Sequence, residues 1–349
     1  MPRTGKTITS SIAYLILLLG IMLPQKGKAQ ESCTQKLRNA RNAYQEGKLS
    51  SLPTTLQSCI DNGFNKEEKI EALRLVTLAF LYEENEASAK KSYLQLLNLN
   101  PEYRPNPQAD PTELILLAEK FDTDPKFFYG IKTGLAYSLV EVIEPTSDVV
   151  VGLQRGNYSF SYSMSFGVFF QYPINNKLSA NAEFYYMLRS LSMNKNPMEG
   201  SDVQQQTISE DQRWIEMPIL LNYKLPVNAF LLELTGGPSF HYLLLSEVTS
   251  EGGNEPFSDV DFYAQRNQFN LSGILGIRAN FKVFGRNFLT TSILYQHRFM
   301  NEVNQTSNVL NQDENDRLLN SAYKEGQYKG HSIWLRIGLK LPYYNPQLK

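Results

Sequence analysis

After Asp122-Thr123-Asp124-Pro125 the hydrophobic pattern settles into a period of two, which restricts the fold more than any other feature. Phe269, Leu271, Leu275, Ile277, Ala279, Phe281 and Val283 alternate with Asn270, Ser272, Gly276, Arg278, Asn280 and Lys282. Ile333, Leu335, Ile337, Leu339 and Leu341 alternate in the same way with Ser332, Trp334, Arg336, Gly338 and Lys340. Such alternation marks strands with one apolar face. Eight segments qualify, at about 127–142, 158–173, 178–193, 213–225, 230–248, 268–284, 288–303 and 331–343. The gaps between them are sorted by length. Long gaps (143–157, 194–212, 249–267, 304–330) alternate with tight ones (Ile174–Lys177, Pro226–Ala229, Gly285–Asn287).

A soluble sandwich could also present one apolar and one polar face, but it has no reason to sort its loops. An even-stranded barrel crossing the outer membrane does, with tight turns on the periplasmic side and long loops outside. The segments are also longer than the roughly five or six residues usual in soluble sheets. A tilted crossing needs about 9–11. On this register Lys132, Arg189, Lys224, Arg278, Lys282, Arg298, Arg336 and Lys340 point inward, with Glu183, Glu216 and Glu233. Side chains fill the interior of an eight-stranded barrel. These charges are therefore expected to form a paired network and no ion pathway, with a basic excess that could retain an anion or water.

The first residues read as an export signal. Arg3 and Lys6 precede an apolar run from Ile12 to Leu23, and Gly27 and Ala29 fit a small-residue cleavage site. Residues 1–29 are expected to be a signal peptide cut before Gln30. No later run is long and apolar enough for a membrane-spanning helix. Cys33 and Cys59 lie in the exported part, where an even pair suggests a disulfide; two buried thiols are the alternative. The formal net charge of −1 argues against nucleic acid, which favours a basic surface.

Residues 30–122 have helical period instead. Five helices are expected, at about 34–47, 52–62, 66–84, 86–98 and 114–121, with Gly47 closing the first and Ser51 capping the second. Asp110-Pro111-Thr112-Glu113 looks like a capping box for the fifth. Leu78-Ala79, Tyr82, Ala89, Tyr93, Leu96 and Pro101 resemble one tetratricopeptide repeat with a short inter-helix turn, and Ala40, Tyr44 and Gly47 a worn earlier copy. Tyr44, Tyr82 and Tyr93 would mostly pack that repeat. Glu83, Lys90 and Lys91 are candidate partner contacts.

Chemistry is sparse. His241 points inward and His297 toward lipid, while His331 begins the last strand beside Ser332 and is the one plausible member of a lipid-hydrolase site. Asp313-Glu314-Asn315-Asp316 lacks the spacing of a calcium loop. No catalytic residue, cofactor or metal site is expected. Phe127-x-x-Gly130-x-x-x-Gly134, with Glu216-Met217-Pro218, resembles the PorT-like outer-membrane β-barrel family. The resemblance covers about residues 126–349. It implies an eight-stranded barrel, no enzymatic activity, and a role beside envelope machines such as type IX secretion or gliding motility.

The expectation is an α+β multidomain chain in the bacterial outer membrane: a signal peptide (1–29), a periplasmic tetratricopeptide-like helical domain (30–122) and an eight-stranded transmembrane barrel (123–349). Its partners would be outer-membrane lipid and an envelope protein bound through 31–122, making it a non-enzymatic anchor or scaffold. The alternatives are a lipid-modifying barrel enzyme and a surface receptor or adhesin using the long loops.

Overall fold

The computed structural model describes residues 27–144, 157–197, 199–226, 230–252, 256–283, 285–304 and 327–349, apart from positions 160, 201 and 203. The expected signal peptide, save for 27–29, lies outside the described residues, as does the acidic run 313–316. Two compact units are present. One runs to Asp124 and includes Tyr344–Lys349; the other is Pro125–Tyr343.

The second unit is an antiparallel ring of eight long strands: β1 (Pro125–Glu144), β2 (Ser161–Pro173), β3 (Leu178–Lys195), β4 (Gln206–Leu225), β5 (Leu231–Gly252), β6 (Phe269–Lys282), β7 (Phe288–Arg298) and β8 (Gln327–Tyr344). Each strand pairs with its neighbours in sequence, and β1 pairs with β8 to close the ring. Side-chain exposure follows the alternation read from the sequence. Leu275, Ile277, Leu335 and Ile337 are exposed outward, whereas Arg278, Asn280, Trp334 and Arg336 are buried within. Aromatic rings cluster at the turn end of the wall, where Phe127 stacks on Tyr343 at 4.5 Å and meets Phe170 at 4.9 Å. Amphipathic rings favour the membrane–water interface. No described helix is long and apolar enough to cross a membrane.

The β4–β5 hairpin extends beyond the expected strand ends. Its pairing runs from Leu225↔Leu232 to Gln206↔Gly252, with a register shift at Arg213/Trp214. Past that bulge the outward positions turn polar, with Asp211, Glu247 and Thr249, while Ile208 and Val248 turn inward. A short strand, Phe257–Asp261, pairs along β5, and Phe257, Val260 and Phe262 pack on Ile208 and Val248. Apolar-in and polar-out is the arrangement that suits water. The reading of 194–212 and 249–267 as plain loops missed this extension, because its outward face lacks the apolar alternation of the lower wall.

Among the described residues the first unit holds five helices: α1 (Gly27–Gln45), α2 (Leu52–Asn62), α3 (Lys66–Tyr82), α4 (Glu86–Leu99) and α5 (Thr112–Glu119). Leu37, Leu52, Leu56, Leu73, Val76 and Leu96 form one core cluster. Leu78, Ala89, Tyr93, Leu114, Leu117 and Phe121 form a second, with the Tyr93 and Phe121 rings 5.2 Å apart. The last residues of the chain join this unit. Leu348 and Gln347 pair with Phe121 and Asp122, and the Tyr344 hydroxyl donates to Glu102 at 2.6 Å.

The helix ends show which local signals acted. Asn65 and Glu68 make a reciprocal capping box on α3. The box expected at Asp110 does not form, because the Asp110 carboxylate pairs with Arg74 and accepts the Asn106 N–H at 2.7 Å. Ser51 precedes α2 without a side-chain cap. Both α1 and α3 end in the same double bond pattern, in which the next amides reach back to Tyr44 and Ala43, and to Leu81 and Phe80. This closure places one residue in the left-handed region. In α1 that residue is Gly47 (φ 74°); in α3 it is Glu84 (φ 56°). A side chain there costs about 1–2 kcal/mol.

Cys33 and Cys59 are joined by a disulfide with Cα atoms 5.7 Å apart, which ties α1 to α2. With a separation of 26 residues, loop closure alone gives about 3.5 kcal/mol to the folded unit. The double variant Cys33→Ser/Cys59→Ser should lose about that much stability in the helical unit, read as an earlier loss of helical circular dichroism on urea titration. The barrel should remain heat-modifiable on a gel.

Candidate functional site

The inward face of the ring gathers the buried charges. Glu183 sits at the centre. It accepts from Lys132, from Arg278 Nη2 at 2.8 Å, from Arg336 Nη1 at 3.5 Å and from the Tyr185 hydroxyl at 2.6 Å. Arg336 also donates to Glu216 at 2.7 Å, and Gln296 donates to the same carboxylate at 2.8 Å. Toward the turn end Lys340 lies 3.9 Å from Glu233. Toward the loop end Arg189 and Arg298 flank Glu302 at 2.5 and 3.2 Å. Arg266 forks onto Glu210 at 2.7 and 2.6 Å. Aromatic faces complete the cage. The Arg336 guanidinium lies 4.1 Å from the Tyr185 ring centre and 4.7 Å from that of Trp334, and Lys132 lies 4.1 Å from that of Phe169.

Space for these groups comes from glycine. A Cβ at Gly134 would fall 2.6 Å from Arg336 Cγ, and one at Gly338 would fall 2.5 Å from Lys132 Cγ. Carboxylates buried among cations offset the large cost of taking charge out of water. The inward-facing bases Lys132, Arg189, Lys195, Arg266, Arg278, Arg298, Arg336 and Lys340 are all buried, against Glu183, Glu210, Glu216, Glu233 and Glu302. Eight bases less five acids leaves three positive charges in excess among the described residues.

Of the residues singled out from the sequence, Lys132, Glu183, Arg189, Glu216, Glu233, Arg278, Arg298, Arg336 and Lys340 come together inside the ring. Lys224 and Lys282 keep the inward parity but lie at the turn ends of β4 and β6, half-buried and exposed respectively. Sequence reasoning missed Glu210, Arg266 and Glu302. The first two fall in stretches read as loops; Glu302 lies in the segment read as a strand at 288–303 and has the inward parity of Arg298, but it was passed over, and the strand itself ends at Arg298.

The histidines divide between the faces. His241 is buried inside, 2.8 Å from the Ser272 hydroxyl. His297 and His331 meet on the outer wall, with their Nδ1 atoms 2.8 Å apart, and His331 Nε2 lies 2.7 Å from Glu141. Ser332 turns to the opposite face, where its hydroxyl lies 3.2 Å from that of Ser138. The acid–imidazole pair is thus assembled, but the neighbouring serine is not part of it. Among the described residues no group of three or more histidine, cysteine or acidic side chains is placed to hold a metal ion.

The helical unit carries a groove of about 540 Å³. Leu49, Leu78, Leu81, Tyr44, Tyr82, Glu84 and Glu113 line it. Tyr93 is buried in the core, while Tyr82 is 69% exposed. Of the candidate contacts, Glu83 and Lys91 are exposed. Lys90 is engaged, because its ammonium bonds Glu86 at 2.8 Å and Lys120 bonds the same oxygen at 2.7 Å. These two cations, Lys120 foremost, hold the Glu86 carboxyl down from 4.5 to about 2.

Residues 122–304, more than half of the chain, match the outer membrane protein β-barrel domain family. The chain belongs to that family. No curated protein matches it. Among solved structures it is similar to the outer membrane protein OprG from Pseudomonas aeruginosa, at 12% identity and TM-score 0.35 over 65% of this chain and 98% of that one. It is similar to Ail, the attachment invasion locus protein of Yersinia pestis, at 13% and 0.29 over 62% and 99%. It is also similar to the outer membrane protease OmpT from Escherichia coli, at 10% and 0.32 over 63% and 96%. The family match makes residues 122–304 an outer-membrane β-barrel domain.

Removing Glu183 would strand Lys132, Arg278 and Arg336 around an empty centre. Glu183→Leu should destabilise the barrel by about 3–5 kcal/mol. Lys224→Leu, at a strand end, should shift it by less than about 0.5 kcal/mol. Urea unfolding in phospholipid vesicles, followed by tryptophan fluorescence, measures both.

Proposed function

We propose that this protein is a non-enzymatic outer-membrane anchor whose barrel fixes the chain in the bilayer and whose helical unit engages another envelope protein. The carrying observation is the packed interior. Glu183 and Glu216 are fully enclosed by cations and aromatic rings, so the ring reads as a rigid plug that spends its buried charge on structure. The helical unit, by contrast, presents an open groove walled by exposed Tyr82.

Topology supports the placement. With eight strands, the start of β1 and the end of β8 lie on the same side of the wall, the side of the tight turns. In barrels of this class that side is periplasmic. The helical unit, formed from the residues before β1 and after β8, then faces the periplasm. The likeness of the barrel's opening motif to the PorT-like family suggests a secretion or gliding machine as the setting.

Cross-linking in intact outer membranes, followed by mass spectrometry, tests the reading. The full chain should capture a stoichiometric envelope protein. A variant lacking 31–122 should insert, remain heat-modifiable and lose that protein. Retention of the same captured set by the truncated chain would overturn the proposal.

A further inference from the structure

The groove of the helical unit combines three features that are independent of one another. Its floor is apolar, built from Leu49, Leu78 and Leu81. Its walls are the phenol rings of Tyr44 and Tyr82, and Tyr82 stands largely in solvent. Its lining includes two carboxylates, Glu84 and Glu113, and no base. Among the described residues neither Glu84 nor Glu113 has an ion-pair partner, whereas nearby Glu46, Glu71 and Glu86 are each paired with a lysine or arginine.

The position of Glu84 sharpens the point. It occupies the left-handed site that closes α3, where α1 uses Gly47 for the same hydrogen-bond pattern. Glycine takes that conformation without steric cost. A carboxylate is instead held there, in a strained backbone, over an apolar groove. Strain of this kind persists where the surroundings enforce it and clusters at binding sites.

We infer that this groove binds an extended segment of a partner protein that presents a lysine or arginine between apolar side chains, an assignment that rests on the helical unit being the docking unit. The aliphatic neighbours cover Leu49, Leu78 and Leu81. The cationic head lies between Glu84 and Glu113, with the Tyr82 ring beside it. A cation gains from both an aromatic face and a pair of carboxylates when the groove excludes water. An acidic segment would meet two like charges and no compensating base.

The test uses the full chain in phosphatidylcholine nanodiscs, with empty nanodiscs as the blank. The probes are short fluorescent peptides of leucine and alanine with one central arginine, serine or glutamate. The arginine peptide should bind at least about tenfold more tightly than the glutamate peptide, and should weaken as salt rises through the range that screens exposed charge. Glu84→Gly relieves the backbone strain while removing the carboxylate. It should leave the thermal midpoint of the helical unit unchanged or raised, and weaken the arginine peptide about tenfold; adding Glu113→Gln should abolish the preference. Equal binding of the three peptides, or unchanged binding of the arginine peptide to the double variant, would overturn the assignment. The envelope protein captured by cross-linking separates the two claims. If the double variant still captures it while the chain lacking 31–122 does not, the anchor reading stands and the groove assignment fails.

Discussion

Lipid gives the peptide backbone nothing to bond with, so every N–H and C=O within the hydrocarbon must be answered by the chain itself. The ring meets this by pairing β1 with β8, so that no strand is left with an open edge. Much of the rest follows from that closure. A ring of only eight strands is narrow, and its inward positions must be filled by their own side chains. The strands must also present apolar groups outward over a tilted crossing. On β4 this band runs from Ile215 to Tyr223 and ends where Arg213 begins the polar extension.

Closure also sets the terms for the interior. Charges sealed inside a membrane wall are stable only when paired and bonded. Glu183 and Glu216 therefore sit in contact with Lys132, Arg278 and Arg336, and the rings of Tyr185, Trp334 and Phe169 cover the cations. Glycines at 134 and 338 are the steric counterpart, since a Cβ at either position would collide with the stems of Arg336 or Lys132. On the proposed reading, an interior so committed to its own packing leaves recognition to surfaces outside the ring, the grooved helical unit among them.

Legibility in the sequence tracked the strength of the physical constraint. In β6 and β8 the bilayer forces apolar groups outward at every second position, and Leu275 to Phe281 and Ile333 to Leu341 read directly from the pattern. The Glu210–Arg266 pair was not legible. Above the apolar band the outward face can be polar, and nothing periodic marks Gln206 to Gln212 as strand. Local helix signals were read with mixed success. Gly47 closes α1, but Asp110 is drawn away from its capping role by Arg74, a residue 36 positions earlier. Glu84 carried no warning, because a glutamate in the left-handed region is visible only in the backbone. Glu302 shares the inward parity of Arg298 within the segment read at 288–303, but its pairing with Arg189 across the ring shows only in the closed barrel.

The inverted wall, apolar outside and charged within, is the claim on which the rest stands. Nitroxide scanning of β6 in phospholipid vesicles tests it most directly, by comparing collisions with oxygen, which concentrates in lipid, and with a water-soluble nickel complex. Labels at Leu275, Ile277 and Ala279 should meet oxygen and be shielded from nickel, while labels at Ile274 and Asn280 should be shielded from both. If nickel instead reached Asn280 while Leu275 and Ile277 were protected from both reagents, the apolar faces would be packed against one another as a soluble core, and the membrane barrel would be contradicted.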